Sequence, residues 1–87
     1  MKRKSFLPVK AALATELVIE RGAKKHGMFG WRKRLKNPDM VIAEIEAIER
    51  HLNAIRGQRL IDNDTGLPHA AHVAARALFL AEMALND

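Results

Sequence analysis

Between Leu67 and Leu85 the chain reads LPHAAHVAARALFLAEMAL, a run that is apolar almost all the way round a helix. Ala70, Ala71, Val73, Ala74, Ala75, Ala77, Leu78, Phe79, Leu80, Ala81, Met83 and Ala84 leave it no broad polar face, so other helices have to cover it. One domain of 87 residues cannot hide every side of such a helix, and part of its surface is expected to meet a second subunit. The segment therefore predicts an all-α homo-oligomer with this helix at the subunit contact.

The rest of the chain supplies two more helices. From Val9 to about Arg21, the residues Val9, Ala12, Leu13, Leu17 and Ile19 recur at near-helical spacing behind Pro8, and the helix is expected to end near Gly22 or Gly27. Asn37, Pro38 and Asp39 form a helix start: Asn accepts from free N–H groups, proline loses no bond in the first turn, and an acid meets the positive end of the dipole. That helix runs to Arg56 and stops at Gly57, with Val41, Ile45, Ile48, Leu52 and Ile55 as its packing seam. Residues Gln58 to Gly66 are turn-rich and end on Asp64 or Thr65 as a helix cap, so the second and third helices are expected to form a central antiparallel hairpin. Residues 1–87 make one small helical domain of three helices.

The formal net charge is +5, and it is unevenly spread. RGAKKHGMFGWRKRLK holds Arg21, Lys24, Lys25, Arg32, Lys33, Arg34 and Lys36 without one acid. Gly27, Gly30, Phe29 and Trp31 interrupt it, and it reads as a basic loop with aromatic anchors. Such a loop is a solvated surface, a phosphate-binding element or a nucleic-acid patch in which Trp31 stacks on a base. There is no cysteine, so any metal has to be held by His, Asp or Glu. No apolar stretch reaches the ~20 residues a bilayer needs, and MKRKSFLPVK lacks a signal-peptide core; no membrane partner and a cytoplasmic location are expected.

Titratable groups gather around the third helix. His69, His72 and Arg76 stand at i, i+3 and i+7, which is one face, within reach of a single ligand. A polar stripe on an otherwise apolar helix needs partners, because a buried polar group without one costs a few kcal/mol. Carboxylates across the hairpin can satisfy the histidines. Alternatively, the imidazoles with carboxylates from Asp62, Asp64, Glu44 or Glu46 can hold a divalent ion, or with Arg76 they can bind phosphate. His51, late in the second helix, and His69, early in the third, meet near the same connection.

The order ERGAKKHGMFGWRK, AIERHL and DNDTGLPHAAHVAARALFL resembles the N-terminal domain of the small, mainly phage-encoded dATP/dGTP diphosphohydrolase family, over roughly Glu16 to Leu80. Gly22, Ala23, Lys25 and Gly27 fall on that family's Gly-Ala-x-Lys-Tyr-Gly turn, Trp31 on its tryptophan, and Arg50 with His51 on its Arg-His pair. Asp62, Asp64, Thr65 and Gly66 fall on its Asp-x-Glu-Ser-Gly loop, and His69 and His72 on its histidine-rich helix. The departures are His26 for Tyr, Gly30 for Asn, Asp64 for Glu and Arg76 for Asn. The resemblance implies cleavage of a purine deoxynucleoside triphosphate to monophosphate and pyrophosphate with a divalent metal (Mg, Mn or Co), in the host cytoplasm for a phage-encoded member. For such a reaction the sequence can supply Glu46, Asp62 and Asp64 as catalytic residues, a metal site drawn from Glu44, His51, Asp64, His69 and His72, phosphate binding by Lys24, Lys25, Arg50 and Arg76, and base stacking on Trp31. Two other functions fit the same residues: a nucleotide-binding protein without catalysis, and a nucleic-acid-binding module built on the basic segment.

Overall fold

The computed structural model describes residues 6–27 and 30–86; the side chain of His26, and Met28 and Phe29, lie outside the described residues. These form four helices, α1 (Val9–His26), α2 (Gly30–Arg34), α3 (Pro38–Arg56) and α4 (His69–Asn86), with no strand among them. The chain is all-α, with one helix more than the sequence predicts. No helix among the described residues is long and apolar enough to cross a membrane.

Helix α1 starts behind Pro8, whose carbonyl accepts from the Ala12 N–H at 2.9 Å. It passes through Gly22 and ends at Gly27, where φ of +86° breaks the helical path and the Gly27 N–H returns to the Ala23 carbonyl. The additional helix, α2, lies inside the segment expected to be an irregular loop. Its single turn is fixed from outside: Leu35 is buried, its N–H bonds the Trp31 carbonyl at 2.9 Å, and the Trp31 ring stacks on Phe79 of α4 with centroids 4.8 Å apart. Five residues make too few internal bonds to hold a helix in water, so tertiary packing decides here.

Helix α3 has the predicted start, Asn37 Oδ1 accepting from the Asp39 N–H at 2.9 Å with Pro38 in the first turn. It also has the predicted end, but with the special backbone one residue later than the glycine. Gly57 has φ of −83°, and Gln58 takes the left-handed conformation at +64°. The Gln58 N–H bonds the Ile55 carbonyl and the Arg59 N–H bonds the Ala54 carbonyl, the two bonds of a Schellman close. The seam of α3 is rotated from the expected stripe. Glu44, Ala47 and Ala54 are buried, whereas Ile45 and Leu52 are 44% and 45% exposed. Alanine lets the backbones approach, and Glu44 and His51 find polar partners on the α4 side, which outweighs the larger apolar residues one step round the helix.

Helix α4 is the centre of the fold. It packs against α3 and α1 and touches α2, while Ala70, Ala77, Leu78, Ala81, Ala84 and Leu85 stay exposed on its remaining side. Ala71 and Ala75 are buried there, a small-residue core completed by Ala47, Ala54 and Leu35. It starts at His69, two residues later than expected. The Asp62 N–H bonds the Leu67 carbonyl and the His69 N–H bonds the Leu60 carbonyl, both at 2.9 Å, which holds the connection in a tight reversal with Gly66 at φ of +73°. The large exposed apolar side chains of the helices lie mainly on α1, at Val9, Leu13 and Leu17, and on α3, at Met40, Ile42, Ile45 and Leu52.

Candidate functional site

The end of α3, the tight reversal and the first turn of α4 bring three imidazoles and a carboxylate together. His51 Nδ1 and His69 Nδ1 are 2.8 Å apart, and the His51 ring lies parallel to that of His72 with centroids 4.7 Å apart. Asp62 enters from the loop, where its Oδ1 accepts from the Asp64 N–H at 3.0 Å and its Oδ2 lies 3.3 Å from His72 Nε2. Thr65 Oγ1 lies 2.9 Å from the same His72 nitrogen and donates to Asp62 Oδ2 at 3.4 Å. Thr65 and Asp62 therefore share one edge of His72. A nucleophile–His–acid relay needs them on opposite ring nitrogens, so the trio orients Asp62 and does not activate the hydroxyl.

The electrostatics favour the neutral form of His51 and His72. Burial pushes His51 below the ordinary histidine value, and the nearby His72, His69 and Arg76 add to it against the pull of Asp62. Burial does the same to His72, and with the charges of Arg76, His69 and Arg21 it outweighs the opposing pull of Asp62. For Asp62, partial burial works to raise the pKa, but the Asp64 N–H and the three imidazoles hold it below its ordinary value. Neutral imidazole and ionised carboxylate are the protonation states a metal requires.

The donor set fits a divalent ion. Ligand atoms of His51, Asp62 and His69 all lie within 4.8 Å of one another. Two nitrogens bound at ~2.0–2.1 Å at right angles around one ion stand roughly 2.9 Å apart, close to the His51–His69 spacing. The same spacing also closes as an N–H···N bond between neutral rings in complementary tautomers.

Beside this cluster a cleft of about 340 Å³ opens between α1, α2 and α4. Asp64, Thr65 and His72 form its wall next to the histidines, Arg34 and Arg76 stand further along, and Arg21 and Lys25 face in from α1. Val18, Ile19, Ala75, Trp31 and Phe79 make the remainder apolar. Under the arginines lies Glu44, 2% exposed, whose Oε1 accepts from Arg76 at 2.6 Å and from Arg34 at 3.2 Å, while its Oε2 is buried without a hydrogen-bond partner.

Residues 2–87 match the family model of the dATP/dGTP diphosphohydrolase N-terminal domain. The chain belongs to this family. No curated protein and no solved structure matches it.

Within this diphosphohydrolase domain the predicted site residues divide into those brought together and those left apart. His51, Asp62 and His69 form the potential metal group, with His72 beside it on Asp62. Asp64 is exposed at the cleft wall, with Lys25 and Arg76 on the same lining. Glu44, expected among the metal ligands, instead holds two arginines. Glu46 and Arg50 are exposed on α3 and do not line the cleft. Lys24 is exposed and pairs with Glu20 at 3.5 Å one turn back on α1. Trp31 lines the cleft with one face against Phe79 and the Arg32 guanidinium 5.4 Å from its centroid, so its packing onto α4 is the contact the structure shows. Sequence reasoning missed Arg34 and Phe79 as site residues. Trp31, Arg34 and Leu35 have helical i, i+3, i+4 spacing, but one turn between glycine and proline is too short for that pattern to stand out.

Proposed function

We propose that this domain binds a purine deoxynucleoside triphosphate in the cleft and cleaves it between the α and β phosphates, with a divalent metal held by His51, Asp62 and His69. The observation that carries the reading is that the two halves of such a site meet at one residue: His72 touches Asp62 of the metal group and also lines the cationic, aromatic-ended cleft. Family membership supports the substrate class. The metal, when bound, neutralises phosphate charge and lowers the pKa of a coordinated water.

The remaining chemistry belongs to side chains. Thr65 and His72 hold the Asp62 carboxylate in place, and Asp64 accepts a proton from the attacking water. Lys25 and Arg76 bind the phosphates from opposite walls and stabilise the charge that grows on the leaving pyrophosphate. The apolar end near Trp31 and Phe79 takes the base. The reading treats α3 and α4 as an antiparallel hairpin, supported by the pairs Glu44–Arg76 and His51–His69, whose members run in opposite chain order. It treats the protein as a homo-oligomer, supported by the exposed apolar residues of α1 and α3 and the small alanine core.

Incubation with each deoxynucleoside triphosphate and Mg²⁺, Mn²⁺ or Co²⁺ tests the reading. Monophosphate and pyrophosphate should form from dATP or dGTP only with metal. Binding by calorimetry without any turnover would leave a nucleotide-binding protein and remove the hydrolase.

A further inference from the structure

Glu44 lies outside the His51–Asp62–His69 group and has partners of its own. A nearly fully buried carboxylate presents one oxygen to two guanidiniums, Arg34 from α2 and Arg76 from α4, and both arginines line the cleft. Each guanidinium carries five N–H donors, and the bonds to Glu44 use one from each. The arginine side chains remain 37% and 31% exposed, so donors are left for a ligand. One carboxylate cannot neutralise two arginines, and Arg21 and Lys25 add positive charge on the facing α1 wall. An anion of two or more phosphates can touch both walls.

We propose that Arg34 and Arg76, gathered on Glu44 Oε1, form a clamp for a polyphosphate chain, with Glu44 as its positioning residue. The inference rests on the reading above for the class of ligand and adds the group that holds it. Glu44 draws two like charges together at a shared oxygen, a distance at which they would otherwise repel, and leaves their outer edges toward the cleft. Planar guanidiniums fixed in this way recognise phosphate oxygens through paired donors, which a lysine cannot copy.

The test is titration of the full chain with pyrophosphate and with inorganic phosphate, in chelator and without metal, so that it does not depend on turnover. Pyrophosphate should bind more tightly than phosphate. Arg34→Gln should weaken pyrophosphate roughly tenfold, the loss expected for a charge-assisted hydrogen bond. Lys33→Gln, which removes the same charge from an exposed neighbour outside the cleft, should leave it nearly unchanged. Arg34→Lys should recover only part of the loss, and Glu44→Gln, checked for folding by circular dichroism, should weaken pyrophosphate although it removes a negative charge. Equal effects of Arg34→Gln and Lys33→Gln, phosphate binding as tightly as pyrophosphate, or a Glu44→Gln protein that is folded and binds pyrophosphate more tightly would overturn the clamp. If the clamp results hold and no triphosphate is cleaved, the clamp stands and the hydrolase reading fails.

Discussion

His51 Nδ1 and His69 Nδ1, from the last turns of α3 and the first residue of α4, face each other at 2.8 Å with the Asp62 carboxylate beside them. Two imidazoles at this spacing either share one proton in an N–H···N bond or hold one ion, and the two states respond differently to truncation. His51→Ala should lower the affinity for Mn²⁺ or Co²⁺ by at least about tenfold, since even changes behind a metal's ligands have effects of that size. Calorimetric titration of metal into the nucleotide-free chain measures it. Unchanged affinity would mean that the pair is a structural hydrogen bond.

The depressed pKa values of His51 and His72 set a pH dependence of stability. Because both fall below 6.5 in the folded chain, the unfolded chain takes up protons first on acidification. The full contribution is present above the unfolded value, shrinks as pH falls through 6.5 toward the folded values, and levels off beneath them. Asp62, held below 3.8, adds a second loss as pH falls from about 4 through its folded value. Denaturant midpoints recorded across this range should fall with acid, and less steeply in His72→Gln. A midpoint that rises between neutral and mildly acidic pH has the wrong sign for this cluster.

Much of the fold was legible because its signals are local. Asn37–Pro38–Asp39 specifies a helix start through its own backbone and side chains, and the i, i+3, i+7 spacing of His69, His72 and Arg76 puts them on one face wherever that helix packs. What was hidden depends on contacts distant in sequence. Helix α2 exists because Trp31 meets Phe79, and the α3 seam turned toward Glu44 and Ala47 because Arg34, Arg76 and the alanines of α4 lie opposite. Glu44 was legible as a functional acid beside the seam, but an acid near histidines and arginines reads equally as metal ligand or ion-pair partner until the partners are placed.

Gln58 carries a backbone conformation that glycine adopts without steric cost, next to a glycine that does not use it. Gln58→Gly should therefore stabilise the chain by about 0.5–1 kcal/mol, the left-handed penalty relieved exceeding the extra unfolded-state entropy. A thermal melt should shift up by a few degrees. A lower melting temperature would show that the Gln58 side chain contributes more than its backbone costs.

Val9, Leu13 and Leu17 form a stripe along α1 that is 72%, 57% and 48% exposed. If this stripe meets a second copy, light scattering should report a multiple of the 9.8 kDa chain, and Leu13→Lys with Leu17→Lys should return it to the monomer while leaving helix content unchanged. Contact through this face would move the interface from α4, where the sequence suggested it, to α1. A monodisperse monomer from the parent chain would remove the oligomer.

The proposed hydrolysis sets the His51–Asp62–His69 group against a triphosphate bound in the adjoining cleft. It is tested most directly by phosphorus NMR of dGTP and dATP incubated with the chain, first in chelator and then with excess Mn²⁺ that is stripped on a chelating resin before the spectrum is recorded, with His69→Ala run in parallel. No change is expected in chelator, with growth of monophosphate and pyrophosphate signals after metal and none in a folded His69→Ala protein. Release of inorganic phosphate instead of pyrophosphate, or equal turnover by His69→Ala, would contradict it.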